Sequence, residues 1–421
     1  MKENILIIGG GGREHAITWC LRKSRRVGKL YAIPGNAGIA EIAECHSIGT
    51  AAKDFPAILA FIKEHEDIAL TVVAPDNPLS EGLVDEIEAI GRRAWGPKKD
   101  AAIIEASKAF SKVFMKKYGI PTAEYEVFDE YGAAAAYIEK AAHPLVVKAD
   151  GLAFGKGVLI CNNLSESKNA LKEIMLDKAF GKSGNKIVIE EFLEGPEVTV
   201  LAFTDGITVC PMVSSQDHKR AYDNDEGLNT GGMGTFSPSK AYTPEIEKYC
   251  IENIFKKTVE GLNSEGITFK GVIYFGLMIT SSGVKVIEYN ARFGDPETQA
   301  VLPRLKTDLL DIFYACIDDK LKDMNIEWDD QAAVCVILAS GGYPKDYTKG
   351  KEITIGDIKD VTLFHSGTAV KDGRLVTNGG RVLGVTAKGR DVDEARRIAY
   401  ENVEKISFDD MFYRKDIGIK K

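Results

Sequence analysis

Short apolar runs alternate with amphipathic stretches through the first hundred residues of the chain. The apolar runs of strand length are residues 4–8, 29–33 and 69–74. Residues 14–23, between the first two runs, have helical spacing. Strands that alternate with helices in this way predict a parallel α/β sheet. Gly96 and Pro97 end the pattern, so we expect a first domain over residues 1–103.

The rest of the chain changes character twice. Residues 101–118 have helical spacing that ends before Pro121, and strand patterns then dominate. These strand patterns cover residues 145–148, 158–161, 186–193, 198–203, 207–213, 271–280 and 284–290, and helical ones cover 165–176 and 244–264. Shorter strand patterns follow at 332–338, 352–354, 361–364 and 382–386, before a helical one at 392–407. We therefore expect a central domain over 104–325, with a flap subdomain at about 121–190, and a C-terminal domain over 326–421.

Polar side chains stand at the end of one strand pattern, in the segment VKVIEYNARFGDPET at residues 284–298. Strict alternation places Val284, Val286, Glu288 and Asn290 on one face. A carboxylate and an amide oxygen side by side suit Mg²⁺, which takes one or two protein ligands and completes its shell with water and phosphate oxygens. Arg292 follows, where a guanidinium can meet a transferring phosphate or an acyl phosphate. A solvent-facing strand end with ordinary polar residues is the alternative.

A glycine-rich loop at residues 9–12 joins the first strand to the first helix. Glycines let the backbone approach a phosphate, and the helix N-terminus adds positive potential. A dinucleotide site is the alternative, but Glu14 occupies the place of the third glycine in G-x-G-x-x-G. In addition, no acidic residue ends the second strand, which closes on Pro34. We therefore favour a phosphate-bearing sugar as the ligand.

A second glycine loop, KADGLAFGKG at residues 148–157, has a lysine near each end. It lacks the Walker A pattern, yet Lys148 and Lys156 can act as point charges over a triphosphate. A plain hairpin is the alternative. The strand pattern that ends at residue 193 can offer backbone groups to an adenine ring, and Glu197 can accept hydrogen bonds from ribose hydroxyls.

Residues 214–237 are polar and rich in Gly and Asp, and they are long for a structureless loop, so we predict a functional segment. QDHKR at 216–220 and NTGGMG at 229–234 supply charged donors, a carboxylate and backbone N–H groups. This mixture can hold a small zwitterion and phosphate oxygens. A solvated Ω-loop is the alternative.

Composition narrows the class of protein. The formal net charge of -8 argues against a broad nucleic-acid surface. The 7 cysteines form no C-x-x-C pattern, which indicates reduced thiols and a cytoplasmic location. The apolar start is too short for a signal peptide, and no apolar run approaches the roughly 20 residues of a membrane helix. We expect small-molecule partners, no nucleic acid, no membrane, and a monomer or weak dimer.

Five motifs taken together resemble one family. GGGGREH (9–15), KADGLAFGKGV (148–158), QDHKR, NTGGMG and NARFGDPETQ (290–299) stand in the order typical of the phosphoribosylamine–glycine ligase family, and their span covers most of the chain. The resemblance implies an α/β and α+β architecture: an ATP-grasp fold with an N-terminal parallel α/β domain and a small C-terminal β-rich domain. It implies that ATP activates glycine to glycyl phosphate, which the amine of 5-phosphoribosylamine attacks. The products would be glycinamide ribonucleotide, ADP and phosphate, in de novo purine biosynthesis.

The resemblance also implies roles for the residues at matching positions. Arg292, Asp217 and Lys219 are the expected catalytic residues, and Glu288 and Asn290 are the expected ligands of Mg²⁺ or Mn²⁺. The expected ATP-binding residues are Lys108, Lys112, Lys148, Gly155, Lys156, Gly157, Glu190, Glu191, Leu193 and Glu197. The expected substrate-binding residues are Gly10, Gly11, Gly12, Asn36, Asp76, Pro78, Leu79, Gly294 and Asp295.

Two positions depart from the family pattern. Residues 271–280 contain no acidic residue, so a second metal is expected to bind less tightly, and Asp76 stands where many relatives have Glu.

A non-catalytic nucleotide-binding regulator is one alternative function, which the presence of Glu288, Asn290 and Arg292 opposes. Another is a different ligase of this fold, such as a carboxylase subunit or a formate-using purine enzyme, which QDHKR together with NTGGMG opposes. Fused purine-pathway activities are not expected.

Overall fold

A five-stranded parallel sheet forms the N-terminal part of the computed structural model, which describes residues 2–152 and 157–419. Its strands are β1 (Glu3–Gly9), β2 (Val27–Pro34), β3 (Glu44–Cys45), β4 (Ile68–Val73) and β5 (Ala94–Trp95). The helices of this part are α1 (Gly12–Arg22), α2 (Phe55–Glu64), α3 (Asp76–Glu81) and α4 (Leu83–Ala89). The strand order is β3-β2-β1-β4-β5 with every neighbour parallel, so the predicted parallel sheet is confirmed. Its central strand is buried from Ile5 to Gly9, as a parallel strand covered on both faces should be.

Two antiparallel sheets form the central part. The first sheet and its flanking helices are α5 (Ile103–Ala106), α6 (Lys108–Lys117), β6 (Tyr125–Phe128), α7 (Tyr131–Ile138), β7 (Leu145–Ala149), β8 (Val158–Cys161), α8 (Leu164–Leu171) and β9 (Ile187–Glu191). The order of this sheet is β6-β9-β7-β8. The helix predicted over 101–118 is interrupted at Ser107, whose extended backbone and Oγ cap the start of α6 by accepting the Phe110 N–H at 3.1 Å.

The second central sheet is longer and packs directly on the N-terminal part. The elements that follow are β10 (Glu197–Thr204), β11 (Val209–Pro211), β12 (Gln216–Asp217), β13 (Arg220–Tyr222), β14 (Glu226–Asn229), β15 (Gly234–Ser237), α9 (Pro244–Cys250), α10 (Lys256–Ser264), β16 (Gly271–Thr280) and β17 (Gly283–Asn290). The sheet has the order β11-β10-β16-β17. Leu6 and Ile8 of β1 share one apolar cluster with Val198 and Phe275 of this sheet, so the two parts have a common core.

The predicted alternation along β17 is wrong at one point. Gly276 pairs with Glu288, but the next residue, Leu277, pairs with Val286, so one extra residue is inserted into β17 at Ile287. This β-bulge reverses the faces beyond it. Val284, Val286 and Tyr289 are buried in the core, whereas Glu288 and Asn290 line a cavity instead of continuing the Val284–Val286 face.

The C-terminal part is rich in β-structure, as predicted. It follows two helices, α11 (Glu297–Val301) and α12 (Leu309–Ile317), and consists of β18 (Ala332–Ala339), β19 (Thr354–Ile355), β20 (Val361–His365), β21 (Thr368–Lys371), β22 (Arg374–Thr377), β23 (Arg381–Gly389), α13 (Val392–Val403) and β24 (Ile406–Ser407). The helix predicted over 392–407 ends at Val403, and its last residues form β24, which pairs with β19. Among the described residues, no helix is long and apolar enough to cross a membrane.

The segment at 214–237 is not the solvated loop that was the alternative. β12 and β15 pair with each other, and β15 also pairs with β18, which gives a five-stranded sheet in the order β12-β15-β18-β23-β20. β13 and β14 form a separate two-stranded hairpin. The QDHKR and NTGGMG motifs therefore lie at the junction of the central and C-terminal parts.

One buried cation fixes the β13–β14 hairpin to the end of the chain. The Arg414 side chain is only 1% exposed, and its Nη1 donates to Asp225 Oδ1 at 2.8 Å and to the Arg220 carbonyl at 3.1 Å. Its Nη2 donates to Asp416 Oδ2 at 2.7 Å. The hairpin residues Arg220 and Asp225 also line the cavity that contains Glu288 and Asn290, so this ion pair positions part of the cavity wall.

We expect Arg414→Met to destabilise the protein by about 2 kcal/mol or more, because it leaves two carboxylates and a carbonyl without their donor. Urea unfolding measures this loss, and hydrogen exchange should increase in residues 220–229. The matched control is Arg390→Met, since the Arg390 side chain is 81% exposed and pairs only at the surface. That change should cost less than about 0.5 kcal/mol. Equal effects of the two substitutions would contradict the structural role of Arg414.

Candidate active site

A cavity of about 1020 Å³ lies between the two central sheets and reaches the N-terminal and C-terminal parts. Its walls bring together residues that are far apart in the chain. The expected site residues that line it are Asp76, Lys108, Lys112, Lys148, Gly157, Glu190, Glu191, Leu193, Glu197, Asp217, Lys219, Glu288, Asn290, Arg292 and Asp295. Gly155 and Lys156 lie outside the described residues. The structure therefore gathers these residues in one cavity, and their individual roles remain predictions.

A buried carboxylate joins two lysines at one end of the cavity. Glu190 Oε2 is 2.8 Å from Lys112 Nζ and Glu190 Oε1 is 2.8 Å from Lys148 Nζ, and all three side chains are at most 4% exposed. Burial lowers the pKa of Lys112 to about 8, although Glu190 opposes this shift. In this structure Glu190 pairs with two of the lysines expected to meet phosphates, whereas it was expected to bind ATP itself.

The other expected residues at the Glu190 end of the cavity have different partners. Lys108 Nζ donates to the Gly151 carbonyl at 2.7 Å, which ties α6 to the start of the second glycine loop. Glu191 pairs with Lys285 at 2.6 Å and is partly exposed. Leu193 and Glu197 lie on the connection between β9 and β10 and at the start of β10, and both line the cavity. An apolar wall from Met115, Val146 and Ile160 completes a space suited to a flat ring.

Glu288 is a buried carboxylate of the cavity centre, surrounded by lysines. Burial would raise the pKa of its carboxyl group, but the positive charges of Lys219, Lys148 and Lys108 outweigh burial and lower that pKa to about 2. Lys219 Nζ lies 3.2 Å from Glu288 Oε1 and also pairs with Glu197. Burial would lower the pKa of Lys219, yet Glu197 and Glu288 raise it well above its ordinary value. Both groups are therefore ionised at neutral pH.

Arg292 is held by a carboxylate that sequence reasoning missed. Its Nη2 is 2.8 Å from Glu105 Oε1, and Glu105 Oε2 accepts the Ala291 N–H at 2.8 Å. The Nη2 also donates to Asn290 Oδ1 at 3.2 Å. Glu105 lies on α5, where a polar residue in a helix gave no sign of this contact. The carboxylate aims the guanidinium along the cavity beside Asn290.

The donor set at the end of β17 fits a divalent cation. Glu288 supplies an ionised carboxylate and Asn290 an amide oxygen, both on the cavity side of the bulge. These are the hard oxygen ligands of Mg²⁺, which needs few protein groups. Within the described residues, no cluster of three or more His, Cys, Asp and Glu side chains offers a metal a site made by the protein alone. Phosphate oxygens and water would thus complete the coordination.

Two further carboxylates face each other beside Arg292 and Lys219. Burial, and then repulsion from Glu297, raises the pKa of Asp217 well above its ordinary value. Burial also raises the pKa of Glu297, which accepts a hydrogen bond from the Tyr274 hydroxyl at 3.1 Å. Such a pair loses its two protons in separate steps, so it can present a single negative charge to an ammonium group. Glu297 and Tyr274 were not predicted, although Glu297 lies inside the GDPET motif.

A second, smaller cavity of about 400 Å³ lies at the carboxyl ends of β1, β2 and β4. Gly10, Gly11 and Asn36 line it together with Glu14, and the C-terminal part supplies Ser366, Gly367, Thr368 and Asn378. The Gly11 N–H already donates to Glu14 Oε2 at 2.6 Å, so this glycine does not offer its donor to a phosphate. A Cβ on Gly10 would lie 2.3 Å from the Gly35 carbonyl oxygen, so packing alone requires a glycine there.

The other expected substrate residues serve the protein around this cavity. Asn36 Nδ2 donates to the carbonyls of Gly10 at 2.9 Å and His365 at 2.7 Å, so its amide joins two loops. Pro78 and Leu79 are buried in α3, and only Asp76 at the start of that helix reaches the main cavity. The last two, Gly12 and Gly294, are buried against side chains of α11: Gln299 and Glu297, respectively.

A nucleotide-sized cavity between two antiparallel sheets, with lysines at one end and carboxylate and amide oxygens at its centre, defines an enzyme of the ATP-grasp class. Three family models cover nearly the whole chain. They are the phosphoribosylglycinamide synthetase N domain at residues 3–105, ATP-grasp (A) domain at 106–298 and C domain at 333–420. The chain belongs to the phosphoribosylglycinamide synthetase family.

Individual relatives agree with the family models. The phosphoribosylamine–glycine ligase of Caldanaerobacter subterraneus subsp. tengcongensis is 48% identical, over 98% of this chain and 99% of that protein. The crystal structure of phosphoribosylamine–glycine ligase from Thermotoga maritima matches with a TM-score of 0.84 and 36% identity, covering 98% of this chain and 100% of that one. A biotin carboxylase domain from Hydrogenobacter thermophilus, solved with MgADP and bicarbonate, shares the fold with a TM-score of 0.76 at 15% identity, over 98% and 92% of the two chains. The predicted family and fold are confirmed.

We expect Glu190→Gln to destabilise the protein by about 3 kcal/mol, because two buried lysines lose the charge between them. The affinity for ATP should also fall as Lys112 and Lys148 move apart. Urea unfolding and calorimetric titration with ATP measure the two effects. Glu191→Gln is the matched control at the next residue, since its ion pair with Lys285 is partly exposed and should be worth less than about 1 kcal/mol. A smaller effect at Glu190 than at Glu191 would contradict this account.

Proposed function

We propose that this protein joins glycine to 5-phosphoribosylamine at the expense of ATP, through glycyl phosphate, in de novo purine biosynthesis. One observation carries the proposal. A single cavity has a lysine-rich end suited to a triphosphate, carboxylates suited to a small ammonium group, and a second cavity suited to a sugar phosphate beside it. The full-length identity to phosphoribosylamine–glycine ligases supports the same conclusion.

The nucleotide end would bind ATP. Lys108, Lys112 and Lys148 would approach the phosphates, while the apolar wall and the Glu191–Leu193 edge would take the adenine ring. Glu288 and Asn290 would hold Mg²⁺ or Mn²⁺, which supplies charge neutralisation for phosphoryl transfer when it is bound. A carboxylate is a poor electrophile, so transfer of the terminal phosphoryl group to glycine provides the leaving group that amide formation needs.

Glycine would lie between the cations and the carboxylate pair. Arg292 and Lys219 would face its carboxylate and the charge that develops there, since both are fixed in place by other carboxylates. Asp217 and Glu297 would accept hydrogen bonds from its ammonium group. This orientation aims the glycine carboxylate at the terminal phosphate of ATP.

The second cavity would bind 5-phosphoribosylamine. Glu14 is a carboxylate and suits ribose hydroxyls rather than the 5-phosphate. The phosphate would therefore bind toward Ser366, Gly367 and Thr368 of the C-terminal part. Ser366 Oγ supports this placement, since it is buried and has no hydrogen-bond partner among the described residues. Substrate recognition would thus be shared between the first and last domains.

The composition supports the remaining parts of the proposal. All 7 cysteines are free thiols, as expected in the cytoplasm. We propose domain boundaries after residues 103 and 325, a monomer or weak dimer, and no nucleic-acid or membrane partner. Size-exclusion chromatography with light scattering tests the oligomeric state.

Glu288→Ala should abolish ligation and leave the fold intact, because a metal carboxylate contributes several kcal/mol to stabilising charge in the transition state. ADP release that depends on both glycine and 5-phosphoribosylamine measures ligation, and Mn²⁺ binding by electron paramagnetic resonance reports the site independently. Near-normal turnover at saturating Mg²⁺ would exclude Glu288 as a ligand. Glu260→Ala, at an exposed position of α10, is the control and should leave ligation unchanged.

Gly11→Val should raise the KM for 5-phosphoribosylamine steeply, with little change for ATP and glycine. The added side chain enters the smaller cavity, and its nearest neighbours would be Glu14 Oε2 at 2.7 Å and Asp295 Oδ2 at 3.5 Å. Ser366→Ala should raise the same KM without steric blockage, and Ser282→Ala in an exposed turn should change nothing. A collapse of ATP affinity with an unaffected amine substrate would show that the smaller cavity is a nucleotide site.

A further inference from the structure

The two cavities meet at one carboxylate. Asp295 lines the main cavity, and its Oδ2 lies 3.5 Å from where a Cβ on Gly11 would be. Gly11 in turn lines the smaller cavity. Asp295 therefore stands between the space proposed for glycyl phosphate and the space proposed for the amine substrate.

The other side of Asp295 reaches the glycine end. A Cβ on Gly232 would lie 2.3 Å from Pro296 Cδ and 2.8 Å from Asp217 Oδ1, so the residue after Asp295 and the Asp217 carboxylate touch the same glycine. The turn that carries Asp295 thus runs beside the carboxylate pair. Asp295 therefore lies close both to the smaller cavity, through Gly11, and to Asp217, through Pro296 and Gly232.

The surroundings keep this carboxylate oriented and charged. Gln299 Nε2 donates to Asp295 Oδ1 at 2.8 Å, and Arg381 Nη1 lies 3.3 Å from the same oxygen. Burial would raise the pKa of Asp295, but Arg381 and Arg13 outweigh burial and lower it. Glu14, Asp217 and Glu297 are acidic groups on neighbouring elements. The Arg13 backbone also forms a hydrogen bond with this carboxylate. Asp295 is therefore an ionised proton acceptor, with Oδ1 bound by Gln299 and Arg381 and with Oδ2 3.5 Å from the position of a Cβ on Gly11.

The Arg381 side chain is held mainly by backbone carbonyls and does not require the Asp295 carboxylate. Arg381 Nη1 donates at 2.7 Å to the carbonyl oxygens of both Gly231 and Asp295. These contacts are shorter than the 3.3 Å to the Asp295 side chain. Backbone carbonyls therefore hold the Arg381 guanidinium in place. The Asp295 carboxylate is not needed for that purpose and is available to accept a proton.

We propose that Asp295 is a catalytic residue that accepts the proton of the attacking amine; the inference rests on the proposed function. The amine nitrogen of 5-phosphoribosylamine forms a C–N bond to the carbonyl carbon of glycyl phosphate. The C–O bond to phosphate breaks, and phosphate leaves with the bonding electron pair. One N–H proton passes to the Asp295 carboxylate and then to solvent. The nitrogen becomes strongly acidic as it bonds to carbon, so an ionised carboxylate of low basicity is sufficient.

The test separates glycine activation from amine transfer in the full-length protein. Hydroxylamine is a small nucleophile that captures glycyl phosphate as the hydroxamate without binding in the smaller cavity. With Asp295→Asn, ligation of 5-phosphoribosylamine should fall about a hundredfold or more. Hydroxamate formation should fall less than about threefold, and ADP released per ligation product should rise above one. Asp295→Glu should recover part of the ligation, and Asp372→Asn in an exposed turn serves as the control.

The outcomes distinguish failure of the role proposed for Asp295 from failure of the proposed function. Equal losses of ligation and hydroxamate formation in a folded Asp295→Asn protein would mean that Asp295 only shapes the site, and the proposal would be overturned. If the unmodified protein makes no ligation product from ATP, glycine and 5-phosphoribosylamine, the proposed function itself is wrong. A variant that ligates at the normal rate would also overturn the proposal. Circular dichroism and thermal unfolding establish that each variant is folded.

Discussion

The carboxylate of Glu190 is the constraint on which the central part of the molecule depends. It lies between Lys112 of α6 and Lys148 of β7, at 2.8 Å from each. A buried charge without a partner costs several kcal/mol, so α6, β7 and β9 must come together for any of the three groups to be tolerated. The same arrangement leaves this end of the cavity positive, because Lys112 and Lys148 share a single carboxylate. An incoming triphosphate meets fixed cations rather than flexible ones, so fewer side chains lose freedom when it binds.

A second constraint comes from the way the C-terminal part is joined to the rest. β12 and β15 belong by sequence to the central part, yet they are the first two strands of the sheet completed by β18, β23 and β20. Asp217 lies on β12, and Arg381 starts β23. The carboxylate proposed for glycine and the cation beside Asp295 are thus set by one hydrogen-bonded sheet. Rigid positioning of this kind is what a reaction between two bound substrates requires.

The sequence was sufficient for features that depend on local periodicity. The parallel N-terminal sheet followed from apolar runs separated by helical spacing, because a strand buried on both faces must be apolar throughout. The gathering of Lys148, Glu288 and Arg292 was also expected. The bulge at Ile287 was not, since it arises from pairing with β16 and leaves no mark in the composition of β17. Strict alternation therefore assigned Glu288 to the wrong face, although the prediction that it points into a site was independent of that error.

Other features were hidden because they depend on contacts between distant residues. Glu105 and Arg292 are separated by 187 positions in the numbering, and nothing near Glu105 shows that it pairs with a cation. In the first glycine loop, the sequence suggested a ligand contact where the protein itself makes the contact. Gly10 is required by the Gly35 carbonyl, and the Gly11 N–H is taken by Glu14, so backbone packing explains part of a motif that suggested a phosphate site. A glycine-rich loop identifies a close approach, but the sequence alone does not say whether a ligand or the protein makes it.

The placement of charges also bears on how a reactive intermediate can be used before water destroys it. An acyl phosphate is open to attack by water as well as by an amine, so selectivity has to come from position. Glycyl phosphate would be held by Arg292 and Lys219, which are themselves restrained by Glu105 and by Glu197 with Glu288. The amine would arrive from the opposite side, past Asp295. If the proton acceptor lies on the amine's side rather than at the nucleotide end, a water molecule beside the phosphates meets lysines that already pair with Glu190 or Glu288. The separation of the two cavities would then favour aminolysis over hydrolysis without a dedicated barrier to water.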